Sequence, residues 1–380
     1  MSKAYSDIIT LNVQAAAGGA SSPLKQAIQA FAFNQGGAFI NTSWPADGTR
    51  LNYTDWSHKM VWDRTNKRIV TVDKRQNGGA GALHWYTDST NAWTQKWTGQ
   101  NNATNSGGHP YSSWALDQTT GSVWWIDWAG GMRRWEGPSN TSANWELVFT
   151  PTGSQFAASG SDGPHAIGFI PNWWGSGQTG LIMVKRSNSA SGRFNAFKLD
   201  GTSATNFWTG AGITSEWKDP QLVEFPYYTG LLAVETQGHL KTGSAFENPS
   251  SRTAGRSCSM WIIKGTSASP SVTRLPDPPS SSFFWGTGDR FAVYKQYIYL
   301  FSGNSLEWWI LDTTPGGVAI GWVQGNTSST FNPFGSNYAI QLCPIEEYGG
   351  IVSRTQSGVS GSENVAGSPI YAIKKVETVA

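Results

Sequence analysis

Six times along this chain an apolar run is followed by a tight polar turn and a second apolar run. These paired runs read VWDRTNKRIVTVDK from Val61, ALDQTTGSVWWIDW from Ala115, FIPNWWGSGQTGLIMVKR from Phe169, EFPYYTGLLAVET from Glu224, VYKQYIYLFSG from Val293 and PIEEYGGIVSRT from Pro344. Equivalent turn positions fall at Asp63, Asp117, Pro171, Pro226, Lys295 and Ile345, spaced 54, 54, 55, 69 and 50 residues apart. A unit recurring at that interval folds as one supersecondary element that cannot bury its apolar faces alone and must stack on its neighbours.

A third strand with a large aromatic side chain, then a Ser/Thr/Asn/Gly-rich turn and a fourth short run, follows each of the first five pairs. These begin LHWYTDSTNAW at Leu83, RRWEGPSNTSANW at Arg133, FNAFKLDGTSATNFW at Phe194, SMWIIKGTSASPSV at Ser259 and EWWILDTTPGG at Glu307. The sixth, SPIYAIKKV from Ser368, stops after three strands. Four short antiparallel strands per unit predict an all-β, six-bladed β-propeller. The incomplete last blade needs a partner, and SDIITLNV from Ser6 is the expected N-terminal strand that closes it, removing two exposed sheet edges. The expected organisation is therefore a ring-closing and attachment segment over 1–50 and a propeller over 51–380, with one short helix over Pro23–Ala32.

Composition fits a ring of wedges. The 21 Trp are large enough to fill spaces between blades, and only 14% of residues are charged, against about 25% in an average soluble domain. A net charge of +2 with no run of Lys or Arg longer than two supplies no basic face for nucleic acid. No apolar stretch reaches the ~20 residues that span a bilayer, so no membrane insertion is expected. The start, MSKAYSDIITLNVQAAAGG, has no secretory signal pattern, which points to synthesis in a cytoplasm. Cys258 and Cys343 fall in different blades and are expected to be free thiols.

Trp85-Tyr86 followed by Asp88, Thr90, Asn91 and Trp93, and Trp135, Asn144 and Trp145 in the second unit, carry a family likeness. Over Asn52–Val376 the chain resembles the kelch-type propeller, also found as the central domain of galactose oxidase. Gly130-Gly131 fits the double glycine of that pattern in the second unit, whereas Gly78-Gly79 comes late in the first. Abundant Asn, Ser, Thr, Gly and Trp without an export signal or disulfides also resembles bacteriophage virion proteins, made in a host cytoplasm and released by lysis. That resemblance implies a virion location, other virion proteins as partners, and contacts with host surface glycans or with further copies of the chain.

No catalytic motif stands out. The Cys-Tyr-His set of a copper oxidase, a Ser-x-Asp-x-Gly-x-x-Trp box, a Gly-x-Ser-x-Gly elbow and a His-Glu-x-x-His helix are all missing, so the expectation is a non-enzymatic module without cofactor or metal. Glu346-Glu347 is expected to be a solvated acidic turn. His58, His109 and His165 precede the innermost strands of the first three units by differing offsets, which suits polar residues lining a channel at different depths. Trp56, Trp173, Trp174, Trp217 and Trp285 lie in connections rather than at periodic core positions and are candidates for a ligand or partner surface, or for caps on the blade cores. The alternative function is a soluble carbohydrate-binding propeller, in which such aromatics would stack on sugar rings.

Overall fold

The structure is a computed structural model that describes residues 38–40, 60–73, 82–90, 92–98, 114–126, 131–135, 146–151, 166–185, 193–208, 220–235, 259–276, 291–301, 308–314, 322–325, 340–355 and 370–375. It is an all-β propeller. Five sheets are each made from four consecutive antiparallel strands, and a sixth is composite. Sheet one contains β2 (Met60–Asp63), β3 (Arg68–Asp73), β4 (Ala82–Thr87) and β5 (Ala92–Thr98). Sheet two contains β6 (Trp114–Leu116), β7 (Val123–Ile126), β8 (Met132–Trp135) and β9 (Glu146–Phe149). Sheet three contains β10 (Ala166–Ile170), β11 (Gly180–Lys185), β12 (Arg193–Lys198) and β13 (Ala204–Trp208). Sheet four contains β14 (Pro220–Phe225), β15 (Gly230–Glu235), β16 (Ser259–Thr266) and β17 (Ser269–Arg274). Sheet five contains β18 (Phe291–Tyr294), β19 (Tyr297–Phe301), β20 (Trp308–Asp312) and β21 (Trp322–Gly325). The sixth joins β22 (Ile340–Ile345), β23 (Gly350–Thr355) and β24 (Ile370–Lys375) to β1 (Ala38–Ile40).

The apolar runs are continuous because the inner strands of the sheets, such as β7 and β10, are buried on both faces. Successive side chains of a strand point to opposite sides of its sheet, and here each side faces a neighbouring sheet. Trp125 packs between sheets one and two with Val70, Trp85, Trp114 and Trp135, whereas adjacent Trp124 packs between sheets two and three with Ile167, Phe169 and Leu181. Likewise Leu231 and Ala233 enter the wedge between sheets three and four, and Leu232 and Val234 the wedge between four and five. Trp124 and Trp135 are each only 1% exposed, so these tryptophans fill space.

Turns between the first two strands of each sheet gather at one end of the ring. Most need a residue in the left-handed region: Lys67, Asn172, Thr229 and Lys295 adopt it despite their side chains, with φ of 49–58°, and Gly349 takes it at 80° before β23. Sheet one stiffens its turn with the buried Asp63, whose Oδ1 accepts hydrogen bonds from the Thr65 and Asn66 backbone N–H groups and whose Oδ2 accepts from Arg68 Nε at 2.8 Å. Asp117 holds the second turn in the same way, accepting from the Thr119 backbone and the Thr120 hydroxyl.

Two of these turns also latch onto the next sheet. The Tyr348 hydroxyl, after β22, donates to Asp88 Oδ2 of sheet one at 3.0 Å, and the Tyr228 hydroxyl, after β14, donates to the Thr313 carbonyl of sheet five. The same position thus stitches sheet six to one and sheet four to five.

The closing strand differs from the expected one. Residues Ser6–Val13 and the helix expected over Pro23–Ala32 lie outside the described residues, and β24 instead pairs with β1, Ala38 opposite Ala372, Phe39 opposite Tyr371 and Ile40 opposite Ile370. A segment nearer to β2 closes a shorter loop, and three apolar residues suffice where only one edge must be covered. A chain beginning at Asn41 is expected to melt several degrees below the full chain, because β24 then becomes an exposed edge. An unchanged thermal transition would show that the sixth sheet does not depend on β1.

Candidate functional site

Where the six innermost strands converge, the ring encloses a cavity of ≈ 780 Å³. Its wall is apolar, with Val61, Ala115, Ile167, Leu222, Ala292 and Leu342 contributed one per sheet. The turn end is polar, furnished by Arg64, Gln118, Glu224, Lys295, Glu346 and Glu347. Ligand pockets in proteins commonly span ~300–1,000 Å³ and combine such an apolar lining with a few convergent polar groups.

The rim is a bonded network. Sheets one and four lie opposite each other in the ring, and the Arg64 guanidinium pairs with the Glu224 carboxylate across the mouth. Gln118 of sheet two donates its amide N–H to the Trp62 carbonyl at 2.8 Å, and its amide oxygen accepts the Arg64 backbone N–H at 3.2 Å. Sheet six joins through Glu347, which accepts from both Lys67 and the Trp62 indole, and through Glu346, which accepts the Lys295 backbone N–H at 3.0 Å. Glu346-Glu347 is exposed, as expected of an acidic turn, yet both carboxylates are tied to neighbouring sheets.

Burial pushes the Glu224 carboxyl above the usual carboxylate range, against the opposing pull of Arg64, and the negative Glu346 nearby adds to the rise. A carboxyl whose folded pKa is raised gives stability that is fully present below its unfolded pKa and is lost as pH rises through the folded one. Relative to Glu224→Gln, the native chain is therefore expected to lose stability as pH climbs from the ordinary glutamate range upward. Urea denaturation of both chains across that range checks it, and parallel pH profiles would show that Glu224 is not the group responsible.

Of the aromatic candidates, the structure describes Trp173 and Trp174. Trp173 is 0% exposed and acts as a core wedge rather than a surface for ligand: its ring lies 4.8 Å from Phe207, and its carbonyl accepts the Ser267 backbone N–H from sheet four at 2.7 Å. Gly180 makes room for it, since a Cβ there would stand 2.5 Å from Trp173 Cβ. Trp174 is half-buried beside the same cluster. Trp56, Trp217, Trp285, His58, His109 and His165 lie outside the described residues, as does Cys258. Cys343 is a free thiol buried in β22, where burial pushes its pKa upward. Among the described residues, no group of three or more His, Cys, Asp and Glu is placed to hold a metal, and no helix is long and apolar enough to cross a membrane.

The rim residues escaped motif reading because they belong to separate repeats. Their signal is positional: Arg64, Gln118 and Glu346 directly follow the turn positions Asp63, Asp117 and Ile345, so superposing the repeats brings them together.

No family model matches the chain, and no curated protein matches it. Solved structures do. The PQQ-bound aldose sugar dehydrogenase of Streptomyces coelicolor is 11% identical with a TM-score of 0.50, the match covering 89% of this chain and 98% of that one. The α-L-arabinofuranosidase Arb93A of Fusarium graminearum, in complex with an iminosugar inhibitor, is 10% identical with a TM-score of 0.46, over 88% and 96%. A triple mutant of AofleA from Arthrobotrys oligospora is 11% identical with a TM-score of 0.47, over 78% of each chain. At such identity the likeness shows the propeller fold alone.

The likeness corrects one expectation. The absence of short catalytic motifs led to the expectation of a non-enzymatic module, but a dehydrogenase is built on this same fold. The chemistry of propeller enzymes can be assembled from residues scattered over several blades, as the rim is here, and a motif search cannot see such a set. The expectation is withdrawn.

Proposed function

We propose that the chain is a structural and binding module of a bacteriophage particle, making contacts with other virion proteins or with the host surface. In this reading the sheets act as one closed six-bladed ring of the kelch type, completed by the N-terminal strand, and residues 1–50 also provide attachment. The observation that carries it is the surface of the outer strands. The exposed positions of β13 are Thr205 and Asn206, those of β17 are Ser269, Pro270, Thr273 and Arg274, and those of β9 are Glu146 and Leu147, so these edges offer mainly hydroxyl and amide groups with one charge on each of β9 and β17. Such surfaces pack beside neighbouring subunits with little desolvation of charge. Electron microscopy with mass spectrometry of the purified particle tests the reading. A fixed copy number on capsid or tail is expected; recovery only as free protein would overturn it.

A second reading, a soluble carbohydrate-binding propeller, is favoured by the half-buried Trp174 on the β10–β11 turn, whose ring could stack on a sugar. Loss of glycan-array binding on Trp174→Ala supports this second reading, and unchanged binding counts against it.

A further inference from the structure

We propose that the mouth of the central channel binds a small, neutral, polyhydroxylated ligand, a mono- or disaccharide or comparable polyol, held by Arg64, Gln118, Glu224 and Glu346. This rests on the chain being a binding module and does not depend on where the module is carried.

Charge balance of the rim selects the ligand class. Arg64, Lys67 and Lys295 supply three cations, and Glu224, Glu346 and Glu347 supply three carboxylates. Asp117, also at the wall, is consumed by its own turn. Arg64 is paired with Glu224 and Lys67 with Glu347. An ionic ligand would take one member of a pair and leave the other uncompensated in a partly desolvated site. A hydroxyl group both donates and accepts. It can insert between Arg64 and Glu224, donating to the carboxylate and accepting from the guanidinium, so neither charge is stranded. Successive hydroxyls on a sugar repeat that bridge toward Gln118 and Glu346.

The cavity supplies the other half of the fit. Val61, the half-buried member of the apolar lining, can take part of the C–H face of a sugar ring. At ≈ 780 Å³ the volume accommodates one or two rings. Arg64, crossing between opposite sheets, is the side chain that must shift to admit the ligand.

The test uses the full chain and saturation-transfer NMR with glucose, galactose, N-acetylglucosamine and lactose, alongside ethanolamine and methyl phosphate as ionic probes. Saturable binding of at least one sugar is expected, weakened about tenfold or more by Glu346→Ala and by Arg64→Ala. Glu346 is an exposed turn residue whose carboxylate accepts the Lys295 backbone N–H, so that variant is expected to stay folded with at most a small drop in melting temperature. No sugar bound by the folded chain, stronger binding of either ionic probe, or sugar binding undiminished in both variants would each overturn the assignment. Fixed copy number on a purified particle is a separate readout, so failure here leaves the particle reading standing and the reverse also holds.

Discussion

Asp63→Ala is expected to destabilise the chain by about 3–5 kcal/mol, the usual cost of removing one partner of a buried ion pair. Asp63 is 0% exposed and Arg68 4% exposed, and their contact is 2.8 Å. Without the carboxylate, four donors lose their acceptor together: the backbone N–H groups of Thr65 and Asn66, the Asn66 side-chain amide, and Arg68 Nε. Arg68 cannot turn to solvent, because its guanidinium lies 3.6 Å from the centre of the Trp85 ring within the wedge between sheets one and two. Burial already disfavours its charged form, and Asp63 is what opposes that cost. Adding Arg68→Met to the Asp63→Ala chain should recover much of the loss, since the stranded charge is then gone. A urea double-mutant cycle checks both statements. If the double variant is as unstable as the sum of the two singles, the pair has no coupling and the argument fails.

Trp135→Ala is expected to cost a similar amount, about 3–5 kcal/mol, from lost apolar burial and the cavity left behind. Its ring meets Trp85 edge-on at 5.4 Å, with Val70 and Leu83 of sheet one in the same cluster as Trp114 and Trp125 of sheet two. The loss therefore falls on the contact between two sheets rather than within one. Calorimetry should show a lower melting temperature with the cooperative transition retained. A change below about 1 kcal/mol would mean that the wedge collapses around the gap.

These wedges explain what could be read directly from the chain. A run such as VWWI or GLIMV, apolar at every position, requires both sheet faces to be covered, and the turn positions Asp63 to Ile345 set the repeat. The strand ends agree with them: β2 stops at Asp63, β10 just before Pro171, β14 just before Pro226, and β22 at Ile345. Closure was placed wrongly because SDIITLNV has more strand propensity than AFI, whereas pairing with β24 is a long-range contact that local propensity does not encode. Trp173 was legible as an aromatic in a connection but not as core, since its burial depends on Phe207 and on sheet four, far along the chain. The channel mouth was least legible. Arg64 and Glu224 are separated by almost three repeats, and only the ring brings their side chains together.

The composite sheet has a consequence for how the molecule comes into being. Ile40 is synthesised long before Ile370 and must wait for it before the pair can form. Sheets one to five are each contiguous in sequence and can take shape as they leave the ribosome, growing as an open arc with two unfinished ends. Until β24 emerges, each end of that arc shows apolar side chains and unpaired backbone to the cell. The clasp that secures the finished ring is thus also its slowest contact to make, and the interval before it shuts is when a nascent chain is most exposed to joining another copy instead of itself.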